Sequence, residues 1–221
     1  MIPRQSAWGA IAGTAVSAGA LAYAQIALPT QTLLSDYALV SGGLVPVLIG
    51  MLALAGACLS LAYGLAAGDP GRTAATRVLL LAGAAGLMMS AIFPTDPSPI
   101  GSMTGEIHRW AAAVVFTSLP VAGWALARGR AAAPRWNAVR AMSVTSAATL
   151  AVYLAAHPAS ITSTLISGSA YYGLLERGVV LAEMVLLTAM ALAPIERRPT
   201  VQTSAPPVEP QHSERSERLA A

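Results

Sequence analysis

The thirteen basic residues of this chain are all arginine, and their positions are sorted. Six apolar segments divide the sequence, and eleven of the arginines fall at alternate ends of those segments. Arg4 precedes the first segment, and Arg72 and Arg77 lie between the second and third. Arg128, Arg130, Arg135 and Arg140 lie between the fourth and fifth, and Arg197, Arg198, Arg215 and Arg218 follow the sixth. Only Arg109 and Arg177 stand at the opposite ends. Cytoplasmic loops of membrane proteins are rich in Lys and Arg. The pattern therefore predicts an all-α, six-helix transmembrane bundle with both termini in the cytoplasm.

Composition agrees. The 221 residues are 55% hydrophobic and 10% charged, against about 25% charged in a soluble domain. Lipid is the solvent such a surface calls for. The formal charge of +3 is no nucleic-acid signal, because the arginines flank apolar segments and do not line a face with aromatics between them. Attraction to an anionic cytoplasmic leaflet explains them better. Cys58, the single cysteine, lies inside an apolar run and reads as a packing residue. The exclusive use of Arg fits a GC-rich bacterial genome. The expected location is the bacterial cell (inner) membrane, crossed several times, with membrane lipids as partners.

The segments run over residues 6–28, 43–67, 75–93, 107–127, 138–157 and 172–194. Each is near the ~20 residues that cross ~30 Å of hydrocarbon as a helix, and a lone strand would leave its backbone unpaired in lipid. Pro29, Gly42-Gly43, the Gly68-Asp69-Pro70-Gly71 run, Pro94, Pro97, Pro99, Pro134 and Pro158 read as helix breaks. Residues 1–194 form the transmembrane domain. Residues 195–221, with four prolines and mixed charge, are expected to be a disordered cytoplasmic tail. The first segment ends near Ala22-Tyr23-Ala24, which imitates a secretory cleavage site. Its apolar run is longer than the ~7–15 residues of a signal core. It also carries small residues at Gly9, Gly13 and Ser17, suited to packing on another helix. Retention is the expectation.

Three loops then face outward: 29–42 with Asp36, 94–106 with Asp96 and Glu106, and 158–171. His108 and Arg109 open the fourth helix, His157 ends the fifth, and Glu176-Arg177 open the sixth. Acid, imidazole and guanidinium thus gather at one membrane level. In the second loop, Thr104 or Glu106 is the expected cap of the fourth helix. Read as structure alone, Asp96 and Glu106 are caps and His108 is an interfacial side chain. The phrase Phe93-Pro94-Thr95-Asp96, followed by a Pro- and Gly-containing loop and then Gly105-x-x-His108, resembles the bacterial membrane family catalogued as domain of unknown function 998. Ser35-Asp36-Tyr37 and Gly173-Leu174-Leu175-Glu176-Arg177 are shorter echoes of it. The resemblance covers residues 6–194. It implies a six-helix membrane protein and no activity, with Asp96 and His108 as the polar members of the motif.

Glu183 lies mid-way along the sixth segment, where an ionised carboxylate costs about 2.5–3.5 kcal/mol or more. It sits seven residues from Glu176, on the same helix face and about 10 Å deeper. Ser146, Thr149, Tyr153 and His157 form a stripe at helical spacing on the fifth segment. A polar seam between helices five and six, opening outward, is the expectation. The structural alternative is a protonated Glu183 bonded to a hydroxyl for packing.

The chain carries no P-loop, G-x-G-x-x-G or H-E-x-x-H motif and no cysteine-rich spacing. Haem between His108 and His157, and zinc on Asp96, His108 and His157, are weaker readings than no cofactor and no metal. Three functions remain. The leading one is an outward site of Asp36, Asp96, His108, Arg109, His157, Glu176, Arg177 and Glu183 that binds a lipid head group or a small polar ligand. The second is a membrane-embedded acid/base enzyme acting on a lipid or isoprenoid, with Asp96, His108, Glu176 and Glu183 as catalytic candidates. The third is a structural or assembly partner. The sequence does not choose among oligomeric states.

Overall fold

The computed structural model describes residues 2–97, 101–157, 160–163, 165 and 168–195. The expected tail, apart from Ile195, lies outside the described residues, as does part of the third loop. Six α-helices are present among the described residues: α1 Arg4–Ala27, α2 Leu44–Gly68, α3 Ala74–Ile92, α4 Met103–Ala127, α5 Pro134–Ala156 and α6 Gly168–Leu192. A short 3-10 helix, Ser35–Leu39, lies between α1 and α2.

Three helices begin a turn earlier than the apolar pattern predicts, each for a local reason. Pro134, read as a break, is the first residue of α5; its missing N–H costs nothing there and its fixed φ suits the helix. Ser102 caps α4, so the helix starts ahead of its apolar run. Gly168 opens α6 beside Ala156, where a Cβ would lie 2.6 Å from the Ala156 Cα.

The helices alternate in direction. Each packs on its neighbour in sequence, and α6 closes the ring against α1 while also touching α2 and α4. Small residues let the backbones approach, as expected where lipid supplies no hydrophobic drive between helices. A Cβ built at Gly13 of α1 would lie 2.7 Å from the Ala53 carbonyl oxygen of α2. One core runs through the bundle, including Ala10, Ala57, Cys58, Leu61, Leu80, Leu119, Val139, Leu186 and Met190. Ser17, Ser143, Ser146 and Glu183 are buried too, whereas Val16, Leu52, Leu59, Leu81, Val121, Val144, Val152 and Leu181 face outward. Polar inside and greasy outside is the arrangement of a protein in lipid.

Five of the described helices, α1 to α5, are long and apolar enough to cross a membrane. α6 matches their length at 25 residues and turns Leu174, Leu181 and Val185 outward. Exposed aromatics form two girdles. Trp8, Tyr63 and Trp124 lie toward one end, and Tyr23, Trp110 and Tyr171 toward the other. Along α1 the rings of Trp8 and Tyr23 are separated by about 22 Å of helix rise. Such belts mark the two membrane–water interfaces.

The ends of the bundle differ in chemistry. At one, Arg72 donates to Gly129 O at 2.6 Å and Arg77 to Pro70 O at 2.7 Å. Arg140 donates to Ala127 O and Arg130 O at 3.0 and 2.6 Å. Arg130 pairs with Asp69 at 3.4 Å and lies over the Trp136 ring. The Ile2 N–H donates to Pro194 O at 3.1 Å, so both ends of the bundle's chain path meet here. The opposite end holds Asp36, Asp96, His108, Arg109, His157, Glu176 and Arg177. We call these the arginine end and the histidine end.

Candidate functional site

At the histidine end the first loop is held down by α6. The Leu34 N–H donates to Glu176 Oε2 at 2.7 Å. Arg177 spreads its guanidinium over four acceptors: Nε to Gln25 Oε1 at 2.8 Å, Nη1 to Thr32 O and Gly173 O at 2.7 Å each, and Nη2 to Gln31 O at 2.9 Å. Gly173 abuts the Thr32 carbonyl, where a Cβ would collide. Within the loop, Asp36 Oδ2 accepts from the Leu33 N–H at 3.1 Å. Partial burial raises the Asp36 carboxyl above its ordinary range; that N–H, His108 and Arg177 oppose the shift. The Tyr37 side chain is fully buried beneath the loop, and its hydroxyl has no partner among the described residues.

The second loop is fastened by its own residues. Asp96 accepts from the Ser102 hydroxyl at 2.6 Å and the Ser102 N–H at 2.8 Å. The Ser102 hydroxyl in turn accepts from the Gly105 N–H at 3.3 Å. Ser102 is therefore the cap, and the expected caps Thr104 and Glu106 are not. Glu106 instead pairs with Arg109 one turn along, on the exposed side of α4. The Ser102 donors, hydroxyl first, hold the Asp96 carboxyl below its ordinary range. Gly105 is packed directly on that carboxylate. His108 is buried and turns Nδ1 toward Phe93 O at 2.9 Å and Ser90 O at 3.1 Å, the last carbonyls of α3. A proton on Nδ1 serves those carbonyls.

Between α5 and α6 the expected seam is aromatic in its outer half. Tyr153 and Tyr172 stack with centroids 4.7 Å apart and share a hydrogen bond of 2.6 Å between hydroxyls. His157 meets the Tyr172 ring edge-on. Thr149 bonds its own helix, donating to Ser146 O at 2.9 Å, and Glu176 points to the first loop. Deeper in the bundle, Glu183 is 2% exposed and its Oε1 has no partner among the described residues. Ser146 Oγ is equally buried and equally unpartnered.

The predicted residues thus share one end of the bundle but not one cavity. Glu176, Arg177 and Asp36 belong to the first-loop clamp, while Asp96, His108 and Arg109 belong to the second-loop lock. Asp36 and His108 lie within electrostatic reach of each other and link the two. Glu183 sits apart, two turns deeper. Where the 3-10 helix meets the ends of α2, α3 and α4 there is a shallow recess lined by Ser35, Leu44, Leu48, Met51, Ser90 and His108. It has room for about one water molecule. Ser90 Oγ is buried there and has no partner among the described residues. Sequence reading missed Ser90, Ser102 and Tyr172. For Ser102, a serine just ahead of a helix was a legible capping signal. For Tyr172 the signal was its place four residues before Glu176 on a helical face. Ser90, a lone serine late in an apolar run, carried no such signal.

These features define a class: a multi-pass helical membrane protein whose polar motif residues fasten the loops at one end of the bundle. The chain belongs to the family described as protein of unknown function (DUF998), which it matches over residues 7–193. No curated protein and no solved structure matches it.

Proposed function

We propose that the protein sits in the bacterial inner membrane with its arginine end in the cytoplasm, and that its histidine end receives the polar head of a lipid. The observation that carries the reading is the Ser90 hydroxyl, buried in the recess beside His108 and unpartnered among the described residues. An orphaned buried hydroxyl calls for a polar atom to complete it. On the α2 side the recess wall is apolar, with Leu44, Leu48 and Met51, and α2 goes on to expose Val45, Ile49 and Leu52, as α3 exposes Met88, Met89 and Ile92. A lipid hydroxyl or amide placed on Ser90 would leave its chains lying along that surface. A free polar molecule gains nothing from those walls, so the lipid is favoured over the small polar ligand.

Ser90→Val keeps the helix, removes the hydroxyl and fills the recess. Lipids co-purifying with the full-length protein, quantified by mass spectrometry, should then lose one class several-fold relative to wild type. A second reading is favoured by the engagement of Glu176, Arg177 and Asp96 with loop backbone or caps: the polar residues serve only to hold the loops in place for assembly. Under it, Ser90→Val folds normally and retains the same lipids as wild type, which refutes the head-group site.

A further inference from the structure

Among the described residues Glu183 is a carboxyl without a counter-charge. The helices around α6 carry no charged side chain at its depth: α1 has none beyond Arg4, α2 none, α4 none between Arg109 and Arg128, and α5 none after Arg140. On α6 itself Arg177 is six residues toward the histidine end, with its guanidinium already on four acceptors. Cys58 of α2 is the titratable group within electrostatic reach, and it supplies no positive charge. An ionised carboxylate in that setting is expensive unless a cation accompanies it.

Ser146 supplies the second half. Most hydroxyls inside the bundle are used by their own helix: Thr14 donates to Ala10 O, Ser143 to Val139 O, Ser118 to Val115 O and Thr188 to Met184 O. Ser146 departs from this habit, as Ser17 of α1 and Ser90 of α3 do, and of the three it is the one on α5, the helix packed most extensively on α6. Helix register puts Ser146 at the depth of Glu183. A Cβ at Gly123 of α4 would meet both Ser143 Oγ of α5 and Leu186 of α6, so the three helices touch there. α5 and α6 are antiparallel. Three residues toward the histidine end from Ser143 is Ser146, and three from Leu186 is Glu183. Residues three apart lie one turn apart along a helix, so the two orphaned oxygens lie one turn beyond that junction, at one depth on two packed helices. Thr149 and Tyr153 continue the Ser146 face toward the histidine end.

We propose that Glu183 and Ser146 form a buried site for an exchangeable monovalent cation, either a proton or a sodium ion. With a proton, the Glu183 carboxylic acid donates to Ser146 Oγ; with sodium, both oxygens act as ligands. The site is separate from the recess at Ser90 and stands or falls without it. Glu176 and Tyr172 of α6 and Tyr153 and His157 of α5, all nearer the histidine end, are the other titratable groups on the faces that bound it, and α1 and α4 present none at this depth.

The test is labelling of the full-length protein in liposomes with dicyclohexylcarbodiimide, a lipid-soluble reagent that attacks protonated carboxyls, read by peptide mass spectrometry. Glu183 should be modified at pH 6, at least tenfold faster than under conditions that empty it of its proton. Slowing by alkaline pH alone identifies a proton site. Slowing at fixed pH by sodium chloride, but not by N-methylglucamine chloride, identifies sodium exchange. Ser146→Ala, a small change that leaves the carboxyl in place, should move the protecting pH or sodium concentration by about tenfold, the equivalent of one hydrogen bond. Absence of label on Glu183, a rate that neither pH nor sodium alters, or an unmoved midpoint in Ser146→Ala overturns the proposal.

Discussion

A guanidinium holds five N–H donors in a plane, and Arg177 places them on α1, on the first loop and on its own helix at once. An ammonium is a point charge and cannot span those directions. Arg177→Lys keeps the charge and should still cost about 2 kcal/mol, discounted for partial exposure. A lowered melting temperature in detergent and faster proteolysis within residues 29–34 would register it; a variant that melts with the wild type would refute the clamp. Charge sorting singled out Arg177 from sequence, but its partners were illegible there because three of them are backbone carbonyls. Asp96 shows the same division: its importance was readable from the motif, its partner Ser102 was not. Its folded pKa is lowered, so the lock's contribution is complete above the unfolded value of about 4 and fades as pH falls through the folded value. The protection factors of the Ser102 and Gly105 amides, exchange measured against the intrinsic rate at each pH, should therefore fall below about pH 4 in wild type. In Asp96→Asn they should already be low at pH 7 and flat with pH.

At the scale of elements, every apolar segment became a helix because a backbone in lipid has few other ways to satisfy itself. The ends were less legible because caps are short polar events outside the apolar run, as Ser102 and Pro134 show. The faces were legible where small residues recur. Gly13 was expected to pack on a neighbour and meets the Ala53 carbonyl, whereas Gly19 has nothing near its Cβ position. Gly13→Val puts two methyls into a backbone carbonyl that cannot rotate away, so α1 must shift, at about 1–3 kcal/mol. Gly19→Ala should be neutral or stabilising by up to about 1 kcal/mol. Folded yield and melting temperature compare them directly; equal behaviour of the two variants would mean that α1 is not packed on α2 in this way.

For the whole molecule, what remains is which way the bundle faces. Seven arginines of the described helices and their loops lie at one end, namely Arg4, Arg72, Arg77, Arg128, Arg130, Arg135 and Arg140, against Arg109 and Arg177 at the other. Each basic residue near an anionic leaflet contributes about 1 kcal/mol, so the excess biases orientation by several kcal/mol, enough to populate one topology. The local bonds of these arginines do not cancel the bias, because Arg72, Arg77 and Arg140 bond neutral carbonyls and keep their charge. Cys58 is the single cysteine and is buried, so a Cys58→Ser background offers a clean surface for labelling. One new cysteine at Gly71 and another at Gly101 lie at opposite ends of α3. A membrane-impermeant maleimide added to intact spheroplasts should modify Gly101→Cys and spare Gly71→Cys until the membrane is opened. The reverse order would place the arginine end outside, and the recess at Ser90 would then open to the cytoplasm, drawing its lipid from the inner leaflet.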